Sequence, residues 1–161
     1  MCDAVYASDC SNVTCRCCPG KEPSCNAVYF TAWQTGTLFN NDFNGGLVFE
    51  NYDNSKGFCY SSNTITIFTP GVYAVNYTVY VPEGISLNTS FFLQENGINV
   101  PPSVIYVNHT ADDPSITYSG QALIEVGCSP VRLRLSSSEI INYSTFDASA
   151  LANLIIYKIG E

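Results

Sequence analysis

Apolar and polar residues alternate with a period of two along most of this chain, in runs separated by Asn, Gly, Pro and Ser. That period places successive side chains on opposite faces of an extended backbone, so each run reads as a strand. The pattern predicts strands over 27–33 (AVYFTAW), 46–52 (GLVFENY), 57–62 (GFCYSS), 64–69 (TITIFT) and 72–82 (VYAVNYTVYVP). It continues over 87–95 (LNTSFFLQE), 103–109 (SVIYVNH), 115–126 (SITYSGQALIEV), 131–137 (VRLRLSS) and 150–159 (ALANLIIYKI). Within TITIFT the isoleucines point inward. In VYAVNYTVYVP the residues Tyr73, Val75, Tyr77, Val79 and Val81 share one face. VRLRL sets Val131, Leu133 and Leu135 against Arg132 and Arg134. Leu154, Ile155 and Ile156 run consecutively, which predicts that both faces of the last strand are covered, one by the core and one by something else. No long helix is predicted. About ten strands without helical crossovers make an all-β, antiparallel double sheet, either a sandwich or barrel-like.

Residues 1–25 break this pattern. Cys2, Cys10, Cys15, Cys17, Cys18 and Cys25 fall there, against Cys59 and Cys128 in the rest of the chain. The segment has no strand or helix period and too little apolar content to fold alone. Extended, it would reach roughly 80 Å at ~3.3 Å per residue. The chain therefore divides into a Cys-rich connector, 1–25, and a β domain, 26–161.

The cysteines admit three chemistries. Cys15-x-x-Cys18 has zinc-knuckle spacing, but a second such pair and a pair of histidines are missing. A redox Cys-x-x-Cys needs a helix start, and no helix pattern follows Cys18. Structural cross-linking is the third. Adjacent Cys17 and Cys18 are strained as a pair with each other, and in an extended arm they point to opposite sides, toward two different partners. Cys59 and Cys128 are either a pair within the domain or docking points for arm cysteines.

Composition narrows the function. Only 12 % of residues are charged, and the formal net charge is −8 with six Lys and Arg. Nucleic acid and anionic membrane surfaces both call for a basic footprint, so neither is an expected partner. No apolar run reaches membrane-spanning length. The N-terminus lacks the basic and apolar regions of a secretory signal, while eight cysteines point to an oxidising destination. Two readings join these: a signal already removed ahead of this sequence, or synthesis in a cytoplasm with exposure to oxidant when the producing cell lyses, and Met1 favours the second.

No catalytic motif is present, so no enzyme activity and no cofactor are expected. His109, in VNHTADDP, reads as an exposed loop histidine. Asp112-Asp113 falls short of the oxygen count of a Ca²⁺ site and reads as solvated loop charge. Glu50, Asp53, Glu83 and Glu95 show no glycosidase pairing. Trp33 and the tyrosines read as core or interface. Five Asn-x-Ser/Thr sites (Asn12, Asn76, Asn88, Asn108, Asn142) are acceptors only in a secretory pathway.

The run ITIFTPGVYAVNY (65–77), followed by a terminal apolar strand, resembles the C1q/tumour-necrosis-factor jelly roll. In that family an apolar residue ahead of a glycine leads into G-x-Y-x-F-x-[FY], matched here by Ile65, Gly71, Tyr73, Val75 and Tyr77. Phe49 and the Asn51–Asn54 loop resemble the upstream part of the signature. The Asn/Thr/Ser-rich style and the ending LIIYKIG are similar to head domains of collagen-like glycoproteins on bacterial spore exosporia. With a cysteine-bearing arm in place of a collagen stalk, the layout resembles subunits of endospore appendages. The resemblance implies a homotrimer about an apolar axis, with Tyr73, Val75, Tyr77, Leu154, Ile155 and Ile156 as axis or core residues. It further implies trimers stacked through the arm into a disulfide-linked extracellular fibre on the spore, made in the mother cell, with anchor and tip proteins as further partners. All eight cysteines are then candidates for intersubunit bonds, and an intrachain disulfide knot is the alternative. A soluble C1q-like trimer recognising a carbohydrate or receptor is the second reading of function.

Overall fold

The computed structural model describes residues 28–35, 38–40, 45–144 and 150–161; the six cysteines of the 1–25 connector lie outside them. The strands are β1 (Tyr29–Thr35), β2 (Leu38–Asn40), β3 (Asn51–Asn54), β4 (Phe58–Ser61), β5 (Thr64–Ile67), β6 (Gly71–Val81) and β7 (Leu87–Glu95). They continue as β8 (Ile98–Asn99), β9 (Ile105–His109), β10 (Ile116–Val126), β11 (Val131–Ser137), β12 (Asn142–Ser144) and β13 (Ala150–Gly160), with one 3₁₀ turn at Pro101–Ser103. Among the described residues all pairings are antiparallel. One sheet runs β10-β6-β13-β1-β3; the other runs β4-β5-β11-β7-β8, with β9 also on β7; β12 and β2 form a small ribbon. Consecutive strands mostly lie in different sheets or apart in the same one, so the two sheets close over a common core as an all-β jelly-roll sandwich.

The period-two reading holds where it was sharpest. β6 alternates buried and half-buried along its whole length, with Tyr73, Val75, Tyr77, Val79 and Val81 all at 0–1 % exposure. Val131, Leu133 and Leu135 face the core while Arg132 is exposed and Arg134 half-buried. Two aromatic contacts illustrate how the sheets interlock: the ring of Phe58 meets that of Tyr73 edge-on at 5.9 Å and lies 5.8 Å from Phe30.

Tyr77 crosses the sandwich. Its hydroxyl donates toward the carbonyls of Phe91 (3.1 Å) and Ser103, both from the opposite side of the core. The ring lies over Gly120, its cross-strand partner on β10, where a Cβ would meet the phenol carbon at 2.3 Å. Glycine there makes room for the ring, and the ring covers the glycine. The motif glycine also has a steric reason. Gly71 adopts φ +144°, and a Cβ would strike the Lys158 side chain at 2.2 Å and the Gly160 carbonyl at 2.6 Å. Tyr73, two residues on, donates to the Thr69 carbonyl at 2.8 Å and closes the turn that leads into β6.

Three expectations change. The run 46–52 is not one strand: only its end belongs to β3. Gly45 turns the chain at φ +81°, Gly46 makes a single bridge to Ser136, and Leu47 and Phe49 plug the core as an irregular segment. The Tyr60 hydroxyl holds that segment, accepting from the Phe49 amide at 3.2 Å and donating to the Phe49 carbonyl at 3.3 Å. β2, β8 and β12 carry two or three residues each, too few to display a period. Finally, His109 is not an exposed loop residue: it ends β9 at 2 % exposure. Its Nδ1 lies 2.7 Å from the Ile85 carbonyl and its Nε2 3.0 Å from the Pro114 carbonyl, so the ring ties two loops together.

Candidate assembly face

Of the six residues expected at a trimer axis or in the core, the structure places five between the sheets. Tyr73, Val75, Tyr77, Leu154 and Ile156 are all at 0–1 % exposure. The axis role is thereby corrected for these five, since a side chain sealed inside the sandwich cannot meet a second copy. Burial pushes the phenols of Tyr73 and Tyr77 well above the ordinary tyrosine range, with the Glu161 carboxylate adding to the effect at Tyr73. Ile155 alone points outward, because strand parity reverses between neighbours.

The outward side of the five-stranded sheet is built row by row from the register. Tyr29 of β1 pairs with Tyr157 of β13, which pairs with Ala74 of β6, which pairs with Leu123 of β10. Two residues along β13 on either side stand Ile155 and Ile159. These large side chains keep much of their surface in solvent: Leu123 67 %, Ile159 53 %, Tyr157 43 %, Ile155 41 % and Tyr29 36 %. Five exposed large apolar residues on one sheet face form a patch, unlike Ile98, Tyr106 or Ile140, which lie exposed on other elements.

The rows beside the patch mix apolar, polar and charged residues; on one side exposed Glu125 of β10 pairs with Val72 of β6. Thr31, Ile155, Asn76 and Gln121 make one; Trp33, Asn153, Thr78 and Ser119 make the next. Asp53 stands at the margin, on edge strand β3, and accepts a hydrogen bond from the Tyr29 hydroxyl at 3.2 Å. That neighbouring carboxylate raises the Tyr29 phenol above its usual range by charge repulsion.

Sequence reasoning missed Tyr29, Leu123, Tyr157 and Ile159. The signal was present in part: once Leu154 and Ile156 are inward, parity sends Ile155 and Tyr157 outward. Leu123, between buried Ala122 and Ile124, follows the same rule. What parity alone could not supply was the pairing that aligns β1, β6, β10 and β13.

The other expected site residues are dispersed. Cys59 is half-buried in β4 opposite Thr66, and Cys128 is exposed in the turn between β10 and β11. Asp112 is exposed. Asp113 accepts from the Thr110 amide at 2.7 Å and from its hydroxyl at 3.0 Å, and these bonds hold its carboxyl below the ordinary range. No cluster of three or more His, Cys, Asp or Glu suited to a metal ion occurs among the described residues. No described helix is long and apolar enough to cross a membrane.

No family model matches the chain, and no curated protein matches it in sequence. Solved structures do match in shape. The crystal structure of murine APRIL at pH 5.0 covers 83 % of this chain and 100 % of its own, with a TM-score of 0.58 at 6 % identity. The structure of murine APRIL at pH 8.0 has the same coverage, with a TM-score of 0.54 at 6 % identity. At such identity the likeness speaks for the fold alone: a jelly roll of the tumour-necrosis-factor/C1q type.

Proposed function

We propose that this chain is a structural subunit. It forms a homotrimer through the outward face of its five-stranded sheet, and trimers stack through the 1–25 connector into an extracellular, disulfide-cross-linked fibre on a bacterial endospore. The observation that carries the first step is the row Tyr29–Tyr157–Ala74–Leu123 with Ile155 and Ile159 beside it, an apolar surface that association would take out of water. Support for the second step is the crowding of six cysteines into a connector long enough to reach another subunit. Neither catalysis nor a cofactor enters this reading, and anchor and tip proteins on the spore are the heterologous partners it requires.

Light scattering and negative-stain microscopy test it. The full chain is expected to form filaments that persist in denaturant and yield a 17.5 kDa band only after reduction. Deleting 1–25 is expected to leave trimers without filaments. Filaments that survive the deletion would remove the connector's role. Compact trimers from the intact chain, with no higher assembly, would favour a soluble binding module. That second reading draws on the fold shared with murine APRIL. Bond mapping by mass spectrometry, including the partners of Cys59 and Cys128, would separate intersubunit bridges from a knot within one chain.

A further inference from the structure

Strands β3 and β4 each end their own sheet among the described residues, β3 the five-stranded one and β4 the six-stranded one. Tyr52 of β3 pairs with Ala32 of β1, and Tyr60 of β4 pairs with Ile65 of β5. Both partners are buried, and residues opposite one another share a face, so both tyrosines are on the inward sides of their sheets. Because they stand on end strands, the core covers them only in part. Tyr52 keeps 50 % of its surface in solvent, and Tyr60 is half-buried.

The two rings meet across the gap between the sheets. Their centroids are 5.1 Å apart and their planes inclined at 56°. Phe30, at 0 % exposure, supports both: Tyr52 stacks on it at 6.1 Å and 15°, and Tyr60 lies 5.8 Å from it. The Tyr60 hydroxyl is anchored as well. It accepts from the Phe49 amide at 3.2 Å, and its hydrogen is shared between the Phe49 carbonyl and Asn63 Oδ1, each at 3.3 Å. One phenol is thus open to a diffusing reagent, and a second is held against it in a fixed position.

We propose that Tyr52 and Tyr60 are a site of oxidative cross-linking, where a dityrosine bond joins the end strand of one sheet to that of the other. The oxidant is hydrogen peroxide acting through a haem peroxidase, which removes one electron at a time. Each phenol gives up one electron and its hydroxyl proton. The two phenoxyl radicals join through the ring carbons ortho to oxygen. The hydrogen on each of those carbons then moves to a phenol oxygen as the rings regain aromaticity. The peroxide takes up the two electrons and two protons and leaves as two waters. Proximity gives the selectivity, because rings held in contact couple as an intramolecular step, at an effective concentration far above that of separate chains. The carbon–carbon bond resists the reductants that open disulfides. It lies within one chain and away from the outward apolar row, so it does not depend on the assembly proposed above.

The test treats the full chain with a haem peroxidase and hydrogen peroxide, then reduces, alkylates and digests it. Trypsin with a glutamate-specific protease cuts after Glu50, Lys56 and Glu83, releasing 51–56, whose one tyrosine is Tyr52, from 57–83, which holds Tyr60. The two peptides are expected to appear joined and two hydrogens lighter than their sum, with fragmentation placing the bond at Tyr60. The yield per chain should hold when the protein is diluted about tenfold, as an intramolecular step requires. Tyr52→Phe, which keeps a ring against Phe30, should melt like the wild type yet lose at least about fivefold of the dityrosine fluorescence. Tyr106→Phe should leave that fluorescence unchanged, although Tyr106, at 82 %, is the most exposed tyrosine among the described residues. The proposal is overturned if the joined peptides are missing, if Tyr52→Phe fluoresces like the wild type, or if the yield falls in proportion to dilution.

Discussion

The two sheets share one core and show solvent opposite chemistries. Outside the five-stranded sheet lies a row of Tyr29, Tyr157, Ala74 and Leu123, with isoleucines beside it. Outside the six-stranded sheet, the corresponding positions of β5, β11 and β7 carry threonines, arginines and Gln94. Both sheets alternate with the same period, and both send β-branched, aliphatic or aromatic residues inward. The difference resides entirely in the outward half of each alternation, which the fold does not need in order to close. Residues free of the core are not constrained by its packing, so one face can carry exposed apolar residues while the other carries hydrated polar ones.

The strongest way to break this contrast is to remove what holds the two sheets together. Tyr77→Ala deletes the ring that spans the core and leaves the Phe91 and Ser103 carbonyls without their donor. It is expected to cost about 3–5 kcal/mol. Tyr77→Phe, which loses only the hydroxyl, should cost about 1–3 kcal/mol. Denaturant melts of both variants check the order, and equal costs would mean that the ring contributes nothing beyond the hydroxyl.

A subtler change inverts one face and spares the other. Leu123→Asp combined with Tyr157→Glu should cost monomer stability no more than about 1–2 kcal/mol, because both side chains lie outside the core, Leu123 67 % and Tyr157 43 % exposed. In the chain lacking 1–25, the molar mass by light scattering should nevertheless fall from that of a trimer to that of a single chain. Thr66→Asp, on the other sheet, should leave the mass unchanged. Equal behaviour of the two variants would erase the distinction between the faces.

The smallest effect concerns the loop beside His109. Hydrogen bonds from Thr110 lower the Asp113 carboxyl below its unfolded value. Its contribution is therefore fully present above the ordinary aspartate range and is lost as pH falls through the depressed folded value. The wild type should lose a small increment of stability on acidification that Asp113→Asn lacks. Parallel pH–stability curves for the two proteins would contradict this.

Legibility varied with length of pattern. The eleven residues of β6 and the seven of β11 declared their inward faces, and the turn into β6 carried a recognisable G-x-Y-x-V-x-Y run. The segment around Leu47 and Phe49 misled because apolar residues fill a core whether or not their backbone pairs. His109 misled because a polar neighbourhood in sequence does not reveal two carbonyls converging from residues 85 and 114. The assembly face was partly legible, through Ile155. The polar outer face of the six-stranded sheet was legible only as two outward arginines.

What the amino-acid order determined unaided is the all-β character, the inward faces of β5, β6 and β11 and the crowding of cysteines ahead of the alternating region. These are local properties, set by side-chain period and composition within a few residues. Only the tertiary structure decided that Tyr29, Leu123 and Tyr157 fall in one row and that Arg132 and Arg134 stand beside Thr66 and Gln94. Such neighbours are as many as 128 residues apart in the chain, and strand register, which brings them together, is set by long-range pairing and by the closing of one sheet over the other.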